Sequence, residues 1–440
     1  MRAWFEALAA VLERWRRPGE AFTAWLQGEE TDFVRFNRAR VRQAGTVRQA
    51  YLLLDWIAGR RHAAAEVALT GEEGSDRERL EHVVGRRRDA LASVPEEPFL
   101  AYARGAPSSV RGRAGRVPSA AAAAETVVGV AGGADLVGLL ASGRLWTGFA
   151  NDEGQRNWEE SESFNFDWSV YGEGGAAVMA RYAGFEWSTE VLERRLAETS
   201  EALALAGAPA RRITPGEYPA YLAPMALEEA FEQLAWSAFG LRAHRTRTTP
   251  LLRMAEGGAR LASSVTLCEH TAGGIAPAFQ EAGYPRPDRV PLIVEGAYRD
   301  CLVSPRSAAE YGVASNGAGT AEIPQSLDLA PGRLAGERAL ATLGTGVWVS
   351  NLWYTTWSDR NAARITGMTR FATFWVENGR VAAPLEPMRF DDSLYRMLGS
   401  ALVDLTAERE LLLDPGTYGR RSRRSAHLPG ALLSTLRLTL

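Results

Sequence analysis

Apolar positions along the chain alternate between two rhythms. Trp4, Phe5, Leu8, Leu12 and Trp15 recur at helical spacing, and Pro18-Gly19 stops the run, which predicts a helix within residues 1–27. Three strand-like runs follow: Phe33 to Phe36, Tyr51 to Ile57 ending near Gly59, and Ala65 to Leu69 ending at Gly71. Ser75 stands three residues before Glu78, the spacing of a capping box, and Leu80, Val83, Val84 and Leu91 continue a helix. This β-β-β-α pattern is expected to form a small α+β domain over 28–104, one sheet face lying under one helix. Between Pro95 and Pro118 the chain turns rich in Gly, Ser, Pro and Arg and reads as a linker or surface loop.

A second block, 117–212, opens with an alanine-rich helix and continues as an antiparallel meander: Leu136 to Leu140, a turn at Ser142-Gly143, Leu145 to Ala150, Phe164 to Tyr171 and Ala177 to Tyr182. Ser188 then starts a long helix through Leu192, Leu196 and Leu203. The third block, 213–440, is mostly strand and turn. Pro224 opens one helix, Met225 to Phe239, and Glu377-Asn378-Gly379 after an aromatic run is a strong hairpin signal. Strands and helices come in runs rather than in strict alternation, so the expected class is α+β with a β-rich C-terminal domain.

Composition narrows the chemistry. A formal charge of −3 over 440 residues offers no general attraction to nucleic acid. All fifty basic residues are arginine, which removes Schiff-base lysines, lysine general bases and the phosphate-loop lysine. Cys268 and Cys301 are read as two buried thiols of a reducing compartment, with no zinc-finger spacing. The N-terminal segment has charged residues where a signal peptide needs an apolar core, and no apolar run is long enough to span a bilayer; a soluble, cytoplasmic protein is expected.

The helix after Pro224 carries Glu228, Glu229, Glu232 and Gln233. It reads either as a carboxylate site or as an ordinary acidic first turn, with the three glutamates solvated and Leu227, Phe231 and Leu234 packed inward; the residues alone favour the second. His62, His82, His244, His270 and His427 are scattered, and His270 near Cys268 has no third partner visible in sequence. Gly344-Thr345-Gly346 lacks the following helix of a phosphate site, and Arg420 to Arg424 reads as a solvated face or loop able to grip a carboxylate.

Several stretches resemble the TldD/TldE (PmbA) family. They are Thr214 to Tyr218 with Leu222 to Ala226, Pro291 to Gly296, Asn316-Gly317 to Pro331-Gly332, and above all Ile365-Thr366-Gly367 with Phe374 to Arg380. Gly148 to Asn151 upstream is similar as well. The resemblance implies a heteromeric peptidase in which a TldD-like subunit holds zinc by H-E-x-x-x-H on a helix and a C-terminal cysteine. The matching positions here are Glu228, Glu229 and Gln233, with Thr417 to Gly419 where the cysteine would fall. Both histidines and the thiolate are replaced, so the resemblance implies a TldE/PmbA-like pseudoenzyme, inactive by itself and without its own cofactor. Its expected partners are a zinc-bearing TldD-like subunit, as a heterodimer, and an unfolded or precursor peptide, with neither nucleic acid nor membrane. Two alternatives stay open: a peptidase with a harder ion such as manganese at Glu228 and Glu229, helped by Asp391 or Asp392, and a stand-alone peptide-binding scaffold.

Overall fold

A computed structural model describes residues 1–440. Helix α1 (Arg2–Trp15) forms on the predicted stripe and buries Phe5, Leu8, Ala9, Val11 and Leu12. Three long antiparallel strands follow, β1 (Glu20–Asn37), β2 (Arg40–Ala58) and β3 (Arg61–Leu69). Helix α2 (Glu73–Ala90) corrects the expected capping box: Ser75 and Glu78 lie inside it, and its N-cap Glu72 makes no side-chain bond. Buried Asp76 instead turns back to accept the N–H groups of Thr70 and Gly71 at 2.7 and 2.9 Å. The stretch expected as a linker contributes β4 (Ser109–Arg113). Then come α3 (Ala120–Val130), β5 (Asp135–Asn151), β6 (Arg156–Tyr171), β7 (Ala177–Gly184) and α4 (Thr189–Ala206), whose N-cap Ser188 accepts from the Val191 N–H. Strand β5 runs straight through Ser142-Gly143, expected as a turn; Gly143 at φ +140° lets the β1 backbone close on it.

These strands form one sheet in the order β3-β2-β1-β5-β6-β4, with β7 also on β6. The β1–β5 ladder, from Thr23↔Asn151 to Asn37↔Val137, makes the segments 28–104 and 117–212 halves of a single layer, not two small domains. Helix α1, expected as a separate element over 1–27, lies on the same layer in one core with Trp56, Trp146 and Trp158. Helices α3 and α4 pack farther along with Phe164, Phe166 and Trp168.

The C-terminal half contributes β8 (Gly216–Leu222), α5 (Pro224–Ala235), β9 (Leu267–Glu269), β10 (Val290–Val294), β11 (Ala297–Tyr298), β12 (Ser326–Leu329), β13 (Gly346–Asp359), β14 (Arg364–Glu377), β15 (Arg380–Pro384), β16 (Arg389–Ser393), β17 (Leu402–Leu413) and β18 (Ser425–Leu438). They form an eleven-stranded sheet in the order β11-β10-β9-β12-β18-β16-β14-β13-β8, with β15 on β14 and β17 on β18. Strand β8 also pairs with β18, so β18-β16-β14-β13-β8 closes into a ring. Helix α5 starts with Pro224 at its first turn and buries Ala226, Leu227, Ala230, Phe231 and Leu234 in the core of this half. The architecture is α+β, as expected, and no helix is long and apolar enough to cross a membrane.

The two halves meet through small apolar clusters, such as Val178 with Ala372 and Phe374, and through buried arginines. Arg421 and Arg423, expected on a solvated face, are buried at 5% and 9% exposure. Arg423 donates to the carbonyls of Gly28 and Trp146, each at 2.9 Å, and Arg421 donates to the hydroxyl of Ser163 at 3.0 Å. Buried Glu29 accepts the Arg421 N–H at 3.3 Å and the Gln49 amide at 2.6 Å. Trp25 meets Phe279 edge to face across the same junction. A guanidinium with several donors in a fixed fork can satisfy two strands at once, which explains why buried cations are tolerated here.

Candidate functional site

The exposed flank of α5 faces a cavity of about 410 Å³ whose walls come from both halves of the molecule. Strand β7 supplies Arg181, α5 supplies Glu228, Glu229 and Glu232, and the loop before β18 supplies Asp414, Gly416 and Arg424. Glu228 is not on a solvated face, as the acidic-turn reading had it. Its carboxylate takes the Arg181 guanidinium at 2.9 Å, and Arg181, only 6% exposed, also binds Asp167 of β6 at 2.5 Å. Burial pushes the Glu228 carboxyl up to about 7, against the downward pull of Arg181. The same burial raises Asp167, and the two carboxylates together hold Arg181 charged by raising it.

Glu229 has a weaker environment. Its carboxylate accepts the Thr355 hydroxyl at 3.3 Å and faces no cation at contact distance; burial first and neighbouring Glu232 second push it upward. Gln233 sends its amide to Thr355 at 3.3 Å. Residues 228 and 233 are five apart, so on a regular helix they point about 140° away from one another. One goes to β7 and the other to β13. Across the cavity Arg424 grips Asp414 through two N–H groups at 2.9 and 2.7 Å and stands 3.6 Å from Glu232. Burial works to raise Asp414, but the Gly416 N–H and Arg424 prevail and hold it low.

The chemistry of this donor set does not fit a zinc ion. The wall holds carboxylates and guanidinium groups, with neither imidazole nor thiolate, and Arg181 already neutralises the best-placed oxygen donor. Thr417 to Gly419 supply no ligand: Tyr418 is fully exposed, and the Gly419 carbonyl accepts from Gln49 at 2.7 Å. Asp391 and Asp392, which the manganese alternative needs, lie elsewhere on β16. Asp392 is committed to Arg396 and to the Arg437 N–H, and Asp391 faces Arg364.

A second polar cluster joins residues scattered in sequence. Asp328 on β12 is 6% exposed and receives Arg409 at 2.9 Å and His270 at 3.2 Å, with the His427 ring 3.6 Å away. In register Asp328 opposes Cys268 on β9 and His427 on β18. Burial alone would raise this carboxyl, but the two histidines and Arg409 hold it well below the usual carboxylate range. Both cysteines are free and buried, and burial pushes each thiol up to about 11.

An arginine inside the apolar strand Ala177–Gly184 was the one local sign of the cavity that sequence offered and motif reading passed over. Asp167, Asp414 and Arg424 gave no such sign, because strand pairing and the loop before β18 bring them together.

Two β-sheets flanked by helices, with a carboxylate-bearing helix beside the cavity that both halves wall, define an α+β architecture. Solved structures share it along nearly the whole chain. TldE from Thermococcus kodakarensis superposes with a TM-score of 0.81 at 15% identity, covering 99% of this chain and 100% of that one. A proposed modulator of DNA gyrase from Thermotoga maritima gives 0.77 at 14% identity, covering 99% of each chain. Another proposed DNA gyrase modulator, from Bacteroides thetaiotaomicron, gives 0.73 at 13%, covering 99% and 98%. No curated protein matches the sequence. The model of the PmbA/TldA metallopeptidase C-terminal domain matches residues 215–439, and the chain belongs to this metallopeptidase-like PmbA/TldD family.

Proposed function

We propose that the chain is a non-catalytic, TldE/PmbA-like subunit of a peptidase assembly, pairing with a zinc-bearing TldD-like subunit and helping to hold an unfolded or precursor peptide. The observation that carries this reading is Arg181. Its guanidinium sits on Glu228 at 2.9 Å, so a cation brought to the motif helix meets a fixed positive charge before it meets a free ligand. The lack of imidazole in the cavity wall supports the same conclusion. Full-length similarity to a TldE structure agrees with it at the level of fold.

The test is metal content and activity measured together. The purified chain, equilibrated with zinc and then passed through a desalting column, is expected to retain well under one equivalent and to cleave no peptide. Co-purification from its native host is expected to recover a metal-bearing relative. One tightly held zinc per chain, or peptidase activity abolished by Glu229→Ala, would overturn the proposal.

A further inference from the structure

The outer edge of β2 is open along its first half. Pairing with β3 begins at Ala50↔Leu69, so no strand lies beside Arg40 to Gln49, and Arg40 through Arg48 are all exposed. On its other side this segment is laddered to β1 without interruption from Gln43 to Gln49, with a bulge at Arg42, and the ladder fixes it in extended form. From Gln43 to Gln49 alternate residues therefore present N–H and C=O groups outward along an edge of roughly 20 Å, with Arg42 and Arg40 just beyond its end. The segment reads Arg-Val-Arg-Gln-Ala-Gly-Thr-Val-Arg-Gln: three arginines and no acid, with Arg38 at the turn a fourth cation. None of these four lies within 4.0 Å of a carboxylate.

Charge selects the occupant. A second copy paired antiparallel along this edge brings the Arg40 and Arg42 end of each copy close to Arg48 of the other, and like charges so placed disfavour it. An extended acidic strand meets the same arginines as opposite-sign neighbours while its backbone completes the ladder. The end of the edge adds a direction. Gln49 donates to the Gly419 carbonyl at 2.7 Å, and Asp414 and Gly416 of that same loop line the cavity beside α5. We infer that the edge Arg40–Gln49 receives an extended acidic peptide as an additional strand, leading toward the loop that walls the cavity. This rests on the reading of the chain as a peptide-holding subunit and narrows it to acidic, extended segments.

The experiment uses the full chain and fluorescein-labelled octapeptides followed by anisotropy at low salt. The probes are alternating Glu-Thr, alternating Arg-Thr, and two Glu-Thr versions N-methylated at odd or at even positions. Binding of the Glu-Thr probe is expected. It should fall at least tenfold with one N-methylation phase and little with the other, and at least fivefold in Arg42→Glu and in Arg48→Glu, variants at exposed sites that leave the circular dichroism spectrum unchanged. Equal loss with both phases, binding untouched by either substitution, or preference for the Arg-Thr probe overturns the inference. So does sedimentation showing a dimer of the chain that Arg42→Glu alters. Tight binding of all probes elsewhere on the chain would sink the edge while leaving the peptide-holding role standing; binding of none would sink both.

Discussion

Replacing Arg181 with methionine tests the account of the cavity most directly. The change keeps the bulk of the side chain and removes one charge from between two carboxylates. Asp167 and Glu228 have side chains only 18% and 23% exposed, and Arg181 binds them at 2.5 and 2.9 Å. Removing the partner of a buried ion pair leaves uncompensated charge and costs about 3–5 kcal/mol. The loss should depend on pH, and the sign follows from the folded carboxyls. Both are raised by burial, Glu228 from 4.5 to about 7, so the folded state holds the proton more tightly than the unfolded chain does. Such a group takes stability away as pH rises from its unfolded value through its folded one, here from about pH 4.5 to 7. Without Arg181 both values climb further, so Arg181→Met should be nearly as stable as the parent at pH 5 and should fall progressively behind it as pH rises to 8. Adding Glu228→Gln should restore about 1–2 kcal/mol at pH 8 by deleting one orphan charge. Urea unfolding followed by tryptophan fluorescence at the two pH values measures both effects. A deficit below about 1 kcal/mol at pH 8, or an equal deficit at pH 5, would refute the reasoning.

Three further outcomes can be checked with the same instruments. A Cβ placed on Gly148 would lie 2.7 Å from the Phe5 ring, so Gly148→Ala should destabilise by about 1–3 kcal/mol through displacement of α1, read as a lower urea midpoint. Asp328, held low by His270, His427 and Arg409, contributes stability that is present above the unfolded carboxyl value and drains away as pH falls below about 4 toward the folded one. Asp328→Asn should flatten that acid-side slope in unfolding curves taken from pH 2 to 6. Arg423→Met, which leaves the carbonyls of Gly28 and Trp146 without their donor, should cost about 2–4 kcal/mol and speed proteolytic nicking between Asp414 and Arg424, seen by mass spectrometry.

Local signals carried a definite part of this molecule. The stripe ending at Pro18-Gly19, the Ser188 cap and the Asn378-Gly379 turn, with φ of +51° and +74°, act over a few residues, and the structure forms them where the sequence places them. What failed was long-range or competitive. The β1–β5 ladder joins Thr23 to Asn151 across more than a hundred residues, so two strand-rich blocks looked like two domains. The helix starts at Glu73, ahead of Ser75, and Asp76 in its first turn ties the incoming chain through the Thr70 and Gly71 N–H groups. The degenerate motif helix was legible as Glu228, Glu229 and Gln233, but its meaning was not. Whether Glu228 is solvated or locked depends on Arg181, which arrives from another sheet. Arg421 and Arg423 misled for the same reason: a run of like charge in sequence says nothing about strands that close over it from elsewhere.

Because Arg181 comes from a strand of the first sheet and Glu228 from the helix α5 in the core of the C-terminal half, their pairing is a gauge of how the lobes are set. A small rotation that parted them would strip Glu228 of its counter-charge and favour its taking up a proton near neutral pH. Posture and proton uptake are therefore tied together: whatever levers the lobes apart, a docking neighbour included, also changes how many protons the wall holds.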